Sequence, residues 1–218
     1  MSDERWITAL DVGSTGRDPS ILCLRQGRVF AEFLRFTETD VLKTAALVDA
    51  ALRSRGFQPR PRTARIPADV PSDMIGGAAG WDDGLPASSD LRALVIDVIG
   101  IGDGPARWLQ EQGWPVIRFR SSDRARDRKR FENRRAEVMW KLREGLEHNT
   151  IDVGRNEQLA KEILATRWET DLRTGRIKIE RKLEIKKRLG HSPDYLDAAA
   201  MTFAAEGHTS GGGVMLDI

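Results

Sequence analysis

A short apolar segment that ends on a carboxylate constrains the fold of this chain more than any other feature. Trp6 to Val12 reads W-I-T-A-L-D-V, and Gly, Ser, Thr and Asp residues follow it up to Ser20. Apolar residues without helical spacing, stopped by turn residues, indicate a buried strand. Asp11 then lies near the end of this strand, where a carboxylate is costly to bury unless it is paired or binds a metal. The structural alternative is that Asp11 caps the following turn through a backbone amide.

A second segment repeats this pattern later in the chain. Leu91 to Asp97 reads L-R-A-L-V-I-D, and a glycine-rich turn follows it. The continuous apolar run predicts a strand that is buried on both faces, as a parallel neighbour of the first strand would be. Two such strands, each ending on an Asp, predict a shared metal site at Asp11 and Asp97.

Composition narrows the choice of metal and of compartment. Cys23 is the only cysteine, so the chain can form neither an intrachain disulfide nor a thiolate zinc cluster, and the three histidines lack ligand spacing. Carboxylates would have to hold the metal, which favours Mg²⁺ or Mn²⁺. The chain has no run of 18 apolar residues and no apolar region near its N-terminus, so we expect a soluble intracellular protein with no membrane contact.

Positive charge is concentrated in the second half of the chain, although the formal net charge is only +2. Arg118 to Arg135 contains nine Arg and Lys residues against three acids, and Arg173 to His191 contains eight against two. One such segment can be a solvated surface. Two in the same chain indicate a polyanionic partner.

The remaining pattern predicts an α/β fold in one domain over residues 1–206, with a flexible tail at 207–218. Proline-rich residues 59–89 predict a long loop insertion. A G-x-G-x-G turn after the fourth strand resembles part of a nucleotide-binding motif, but the full spacing is missing.

After the first strand we expect strands at 20–24, 29–36, 91–97 and 116–119, and a hairpin with arms at 168–172 and 176–180. We expect helices at 40–55 with Thr39 as cap, from the glycine-rich turn to Gln112, at 130–147, at 156–166, and after Ser192 and Pro193.

The last predicted helix begins S-P-D-Y-L-D-A-A-A and carries two more acids. Asp194 and Asp197 are three residues apart, so they lie on nearly one face of the helix. Acids in a first turn are also favoured by the helix dipole, which makes simple capping the alternative to a functional role.

With acids at the ends of strands one and four and at the start of the last helix, this element order resembles the RNase H-like nucleases. More specifically, the sequence resembles the C-terminal nuclease domain of the large terminase subunit of tailed bacteriophages. The resemblance covers most of Ile7 to Ala205 and rests on four motifs in the family's order. They read L-D-V-G-S-T-G-R-D-P-S, V-I-D-V-I-G-I-G-D-G, F-E-N-R-R-A-E-V-M-W-K-L and I-E-R-K-L-E-I-K-K-R-L-G-H-S-P-D-Y-L-D-A. The resemblance implies a mixed five-stranded sheet, with three antiparallel strands and then parallel strands, flanked by helices, and an added β-hairpin before the last helix.

The resemblance also implies a catalytic site. Asp11, Asp97 and Asp197 would hold two Mg²⁺ or Mn²⁺ ions, and Asp194 matches a second acid often found beside the last ligand. Two such ions roughly 3.5–4 Å apart can hydrolyse a phosphodiester by in-line attack of water, without a side-chain nucleophile. The basic hairpin and the segment after it would bring the phosphates of duplex DNA to the metals without reading bases. The residues expected to bind DNA are Arg176, Lys178, Lys182, Lys186, Lys187 and Arg188.

The implied activity is endonucleolytic cutting of concatemeric viral double-stranded DNA during genome packaging, in the host-cell cytoplasm. A large terminase also has an ATPase motor with the motif G-x-x-x-x-G-K-[ST], which this sequence lacks, so we expect the nuclease domain alone. In the full-length protein its partners would be the N-terminal ATPase motor, the small terminase subunit and the portal. The alternatives are another RNase H-like nuclease, such as a RuvC-like junction resolvase, and a DNA-binding module without catalytic activity, in which the acids only cap turns.

Overall fold

A mixed five-stranded sheet forms the centre of the computed structural model, which describes residues 5–13, 18–59 and 91–206. The strand order is β3-β2-β1-β4-β5. β1, β2 and β3 pair in antiparallel fashion, whereas β4 is parallel to β1 and β5 is parallel to β4. This sheet confirms the predicted fold class. The strands are β1 Trp6–Asp11, β2 Ser20–Gln26, β3 Val29–Phe36, β4 Leu91–Asp97 and β5 Val116–Phe119.

Helices cover both faces of the sheet, and a separate two-stranded hairpin precedes the last two helices. The helices are α1 Val41–Ser54, α2 Asp103–Glu111, α3 Arg134–Glu147, α4 Glu157–Ala165, α5 Lys182–Leu189 and α6 Asp194–Met201, with short 3₁₀ turns at 100–102 and 202–205. The hairpin strands are β6 Trp168–Thr170 and β7 Ile177–Ile179. No helix in the described ranges has the length and apolar character needed to cross a membrane.

Side chains of the central strands alternate between two apolar layers. Ile7 and Ala9 of β1 pack in one layer with residues of α3 and α6, whereas Leu10 packs in the other with residues of α1 and α2. In β4, Ala93 and Val95 belong to the layer of Ile7 and Ala9. Successive residues of a strand point to opposite faces, so the odd-numbered positions from Ile7 in β1 and from Ala93 in β4 face α3 and α6.

Two helix starts differ from the sequence predictions, because side chains other than the expected ones satisfy the free amides. Asp40, not Thr39, caps α1, and its carboxylate accepts hydrogen bonds from two amides of the first turn at 2.9 and 3.2 Å. α3 begins at Arg134 rather than Arg130, because Asn133 caps it and accepts a hydrogen bond from an amide of its first turn at 2.9 Å. An N-cap residue has non-helical backbone angles, so the chain before Asn133 is not helical.

The region around the last helix also differs in detail. α6 has Pro193 rather than Ser192 as its N-cap, and Pro193 offers no side-chain acceptor. α5 was not predicted, and both hairpin strands are shorter than expected. Most of the predicted loop at 59–89 and the predicted tail at 207–218 lie outside the described residues.

Candidate functional site

Asp11 and Asp97 are the last residues of β1 and β4, two neighbouring parallel strands that end at the same edge of the sheet. Leu10 of β1 is in register with Ile96 of β4, so the two acids follow at adjacent positions. Both occupy odd-numbered positions, and their side chains therefore project toward α3 and α6. They line one cleft of about 360 Å³. Asp97 also accepts a hydrogen bond from the backbone amide of Ile99 at 3.0 Å, which fixes the orientation of its carboxylate.

The two acids of α6 lie on the other side of the same cleft, opposite the ends of β1 and β4. α6 packs against β1 and β2, and the small side chains of Ala198, Ala199 and Ala200 are buried. Small residues let a helix approach a sheet closely, so the first turn of α6 lies near the end of β1. Asp197 lines the cleft with Asp11 and Asp97. Asp194 lies deeper and is buried.

Lys182, the first residue of α5, places its ammonium group between three of these acids. Its Nζ lies 3.3 Å from Oδ2 of Asp11, 3.1 Å from Oδ1 of Asp194 and 3.0 Å from Oδ2 of Asp197. Asp97 is the one predicted ligand that does not contact Lys182 directly in the described structure. The ammonium thus neutralises part of a cluster of negative charge that burial would otherwise make very costly.

Arg135 of α3 supplies a second positive charge to the cluster. Its Nε donates to Oδ1 of Asp197 at 3.3 Å, and its Nη1 donates to the backbone carbonyl of Glu180 at 3.0 Å. Nη2 is buried and lies 3.3 Å from Oδ1 of Asp197, but the angle does not allow a hydrogen bond. This nitrogen has no hydrogen-bond partner among the described residues. Arg135 lines the same cleft as the acids, so its guanidinium lies close to any ligand that the cleft holds.

The acids differ in their ionisation because their surroundings differ. Burial raises the pKa of Asp11 to about 7, against the lowering effect of Lys182, and the charges of Asp197 and Asp194 raise it further. Burial also raises the pKa of Asp97. Burial acts on Asp197 in the same direction, but Lys182 and Arg135 outweigh it and lower the pKa of that carboxyl. Burial disfavours the charge on Lys182, yet the three carboxylates raise its pKa well above the usual value.

The cluster has the donor chemistry of a divalent-metal site, but its present geometry suits an ammonium ion. No group of three or more His, Cys, Asp or Glu side chains in the described part of the chain is already arranged to hold a metal. The distances from Lys182 to its three partners, 3.0 to 3.3 Å, explain this, because Mg²⁺ needs oxygens at about 2.0–2.1 Å. The acids fit a hard cation if Lys182 leaves and the carboxylates close in by about 1 Å.

Five of the six residues predicted to bind DNA have acidic partners in the structure, and Arg176 is exposed at the hairpin. The pairs are Lys178 with Glu169, Lys182 with the three acids, Lys186 with Asp18, Lys187 with Glu184, and Arg188 with Glu180. Most of these pairs are on the surface, where ion pairs are weak and a phosphate can compete for the cation. A role for these residues in DNA binding stays a prediction.

The sequence analysis missed two residues that shape the site. Arg135 was counted only as part of a basic segment, although it belongs to the helix that faces the acids. Glu162 of α4 is buried, and its carboxylate accepts a hydrogen bond from the backbone amide of Leu196 in the first turn of α6 at 2.8 Å. The available signal was an acid three residues after Leu159, on the apolar side of a predicted helix.

Comparisons with known proteins identify structures with a similar fold. No protein-family model and no curated protein matches the sequence. The structure is similar to the nuclease domain of the large terminase subunit gp2 of bacterial virus Sf6, with a TM-score of 0.67, 18% identity, and coverage of 93% of this chain and 89% of the Sf6 chain. A lysine-to-alanine mutant of that domain, with manganese and beta-thujaplicinol, matches with the same values.

A second phage gives a similar result. The large terminase nuclease from thermophilic phage G20c, with bound magnesium, matches with a TM-score of 0.57 and 13% identity, over 92% of this chain and 80% of the G20c chain. At these identities the likeness establishes the fold. The chain therefore has the fold of the nuclease domains of phage large terminase subunits.

Proposed function

We propose that this protein is a metal-dependent endonuclease that cuts concatemeric viral double-stranded DNA during genome packaging. The convergence of Asp11, Asp97 and Asp197 in one cleft carries the proposal, because carboxylate oxygens are the ligands that Mg²⁺ and Mn²⁺ prefer. The shared fold supports it, since similar terminase nuclease domains have been solved with manganese or magnesium.

The acids are assigned as ligands of two divalent ions, with Asp11, Asp97 and Asp197 in the cleft and Asp194 as a further ligand. Two such ions, when held by these residues, would supply an activated water and would stabilise the leaving 3′ oxygen during hydrolysis of a phosphodiester. Asp11 releases its proton and its contact with Lys182 before it can act as a ligand. Asp197 is already ionised in the metal-free state, because Lys182 and Arg135 lower its pKa.

Arg135 binds the substrate in this proposal. Its guanidinium lines the cleft, remains beside Asp197 and has a buried Nη2 without a hydrogen-bond partner among the described residues. A phosphate oxygen in the cleft would accept a charge-assisted hydrogen bond from the guanidinium of Arg135. The scissile phosphate would thereby be held next to the acids.

The proposal includes how the protein binds DNA, where it acts and which proteins it acts with. The basic residues of the hairpin and of α5 attract the backbone of duplex DNA without reading its sequence. The activity belongs in the host-cell cytoplasm, where the full-length protein would add an ATPase motor and bind the small terminase subunit and the portal.

Cleavage of supercoiled plasmid DNA tests the proposal. The wild-type protein is expected to nick and linearise the plasmid with Mn²⁺ and to lose this activity in EDTA. Asp97→Ala and Asp11→Ala are each expected to abolish cleavage, because each removes a ligand from a site with few others. Glu111→Ala, which removes an exposed acid of α2, is the matched control and should cut at the wild-type rate.

Three results would overturn the proposal in different ways. Wild-type cleavage by a correctly folded Asp97→Ala protein would mean that the cluster is not the catalytic site. DNA binding without cleavage in any divalent metal would favour a non-catalytic DNA-binding module. A strong preference for four-way junctions over linear duplex would indicate a junction resolvase.

A further inference from the structure

The first turn of α6, which carries Asp194 and Asp197, lacks a capping side chain of its own. Its N-cap is Pro193, which makes no side-chain hydrogen bond to the helix. The amide that an N-cap side chain commonly binds is that of the third helical residue, here Leu196. Leu196 lies between the two acids in the sequence, so the position of its amide fixes the turn from which both carboxylates project.

A carboxylate from another helix occupies the place of the missing cap. Oε2 of Glu162 accepts a hydrogen bond from the amide of Leu196 at 2.8 Å, across 34 residues of sequence. Glu162 is 1% exposed, so this bond is shielded from water. A buried carboxylate is costly unless its oxygens are satisfied, and this one therefore resists any displacement of α6 that would break the bond.

The other oxygen of Glu162 extends the contact to the segment between α5 and α6. The side-chain amide of Gln158 donates to Oε1 of Glu162 at 3.0 Å and lies 3.0 Å from Nε2 of His191. Nδ1 of His191 lies 2.8 Å from the backbone carbonyl of Ser192. One assignment satisfies every group in this chain: the Nδ1 proton of His191 binds Ser192, and Nε2 accepts from Gln158.

We infer that Glu162 is a positioning residue that caps α6 from α4 and thereby sets the geometry of Asp194 and Asp197 for metal binding. The inference rests on the proposed metal-dependent function, and it adds a residue that touches neither metal nor DNA. Through Gln158 and His191 the same carboxylate also fixes the segment that joins Lys182 on α5 to the acids on α6. Loss of such a supporting contact typically weakens metal affinity or activity about 10- to 100-fold.

Four variants test the inference. Glu162→Ala removes the acceptor, and Glu162→Asp keeps the charge but withdraws the carboxylate by about 1.5 Å. Both are expected to weaken Mn²⁺ binding about 10- to 100-fold in calorimetric titrations without DNA. Glu162→Gln keeps an oxygen within reach of Leu196 and is expected to bind Mn²⁺ within about threefold of the wild type. Glu157→Ala, on the exposed side of the same helix, is the matched control and should bind as the wild type does.

Plasmid cleavage distinguishes positioning from general destabilisation. The Ala and Asp variants should need more Mn²⁺ for half-maximal cleavage, yet approach the wild-type rate at saturating Mn²⁺. A residue that only stabilises the fold would lower the melting temperature and leave the metal requirement of the folded protein unchanged. Rescue by Gln but not by Asp would show that the hydrogen bond, and not the charge, is what matters.

Amide hydrogen exchange of Leu196 in the metal-free protein tests the cap independently of the nuclease activity. We expect slow exchange in the wild type and in Glu162→Gln, and fast exchange in Glu162→Ala and Glu162→Asp. Unchanged protection of Leu196 in the Asp variant would overturn the inference, as would wild-type Mn²⁺ affinity in either disruptive variant. If the wild type binds no Mn²⁺, the proposed function fails, while the exchange data still decide whether Glu162 caps α6. If Glu162→Ala does not fold, the comparison of Asp with Gln decides both readouts.

Discussion

Lys182 and Asp197 lie on consecutive helices, and Nζ of the lysine is 3.0 Å from Oδ2 of the aspartate. The chain reverses between them, because Gly190 ends α5 with φ 80°, a conformation that glycine adopts without strain. The reversal directs Lys182 back toward the first turn of α6. In the metal-free state the acids therefore have an internal counter-ion, and a metal must compete with it.

Replacement of Lys182 by Ala should strengthen Mn²⁺ binding and lower the stability of the metal-free protein. Without the ammonium the carboxylates are free for the metal, but their repulsion is no longer offset. Because the lysine is partly exposed, we expect a loss of about 1–2 kcal/mol in the free energy of unfolding without metal, recovered as Mn²⁺ is added. Calorimetric titration and urea unfolding measure both effects. Lys187→Ala removes an exposed lysine of α5 whose partner among the described residues is Glu184, and it should change neither. Equal effects of the two variants would contradict this prediction.

The two acids of α6 should differ in their importance. Asp197 lines the cleft with Asp11 and Asp97, whereas Asp194 is buried behind it and contacts Lys182. We expect Asp197→Asn to reduce cleavage by several orders of magnitude, because it removes a ligand at the metals. Asp194→Asn should leave measurable cleavage with a raised Mn²⁺ requirement. A Mn²⁺ titration of plasmid cleavage by both variants gives the ranking, and the reverse order would place the third ligand at Asp194.

Local patterns were sufficient to predict the five strands and the parallel pairing of β1 with β4, but not the position of Lys182 among the acids. Asp11 and Asp97 each end an apolar run, and the ends of neighbouring parallel strands meet at one edge of a sheet. Lys182 was read as part of a basic surface, because nothing near it in sequence shows that α5 folds back onto α6. The cap supplied by Glu162 was missed for the same reason, since it joins positions 34 residues apart.

α5 was not predicted because its start has no capping signal, although its basic last turn and Gly190 are typical of the end of a helix. Its N-cap, Arg181, makes no side-chain hydrogen bond to the helix, and Ile185 is the one buried residue in its described length. A helix of eight residues with this composition is marginal in isolation, so packing against neighbouring elements stabilises it. Such packing is not visible in a local pattern.

Stability of the metal-free protein should fall as pH rises from about 4.5 to about 7. Burial raises the pKa of Glu162 from 4.5 to about 7, so the folded state retains a proton that the unfolded state has lost within this window. The stabilisation is complete below the unfolded pKa and is lost as pH rises through the folded pKa, with a slope of at most about 1.4 kcal/mol per pH unit for one group. Asp11 contributes with the same sign.

Urea unfolding across this pH range measures the slope. Glu162→Gln has no proton to lose at this position, so its stability should fall less steeply than that of the wild type, with the part due to Asp11 remaining. Identical slopes in the two proteins would mean that Glu162 is ionised in the fold throughout the range.

DNA binding should depend steeply on salt and little on sequence, because Lys and Arg release condensed counterions when they meet phosphates. Joint replacement of Lys186, Lys187 and Arg188 by Gln should flatten the dependence of affinity on salt for a random duplex, by up to about one unit of slope per lost contact. Fluorescence anisotropy at several salt concentrations measures this slope. A wild-type slope in the triple variant would mean that the ion pairs of these residues persist and that they form only a solvated surface.

The most direct test of the central claim is the anomalous scattering of Mn²⁺ in crystals soaked with that ion. We expect anomalous peaks between Asp11, Asp97 and Asp197, with the carboxylate oxygens at metal-bonding distance. We also expect Nζ of Lys182 to be displaced from its present position among the acids. The absence of a peak at saturating Mn²⁺, with Lys182 still 3.0 Å from Asp197, would contradict the assignment of this cluster as a metal centre.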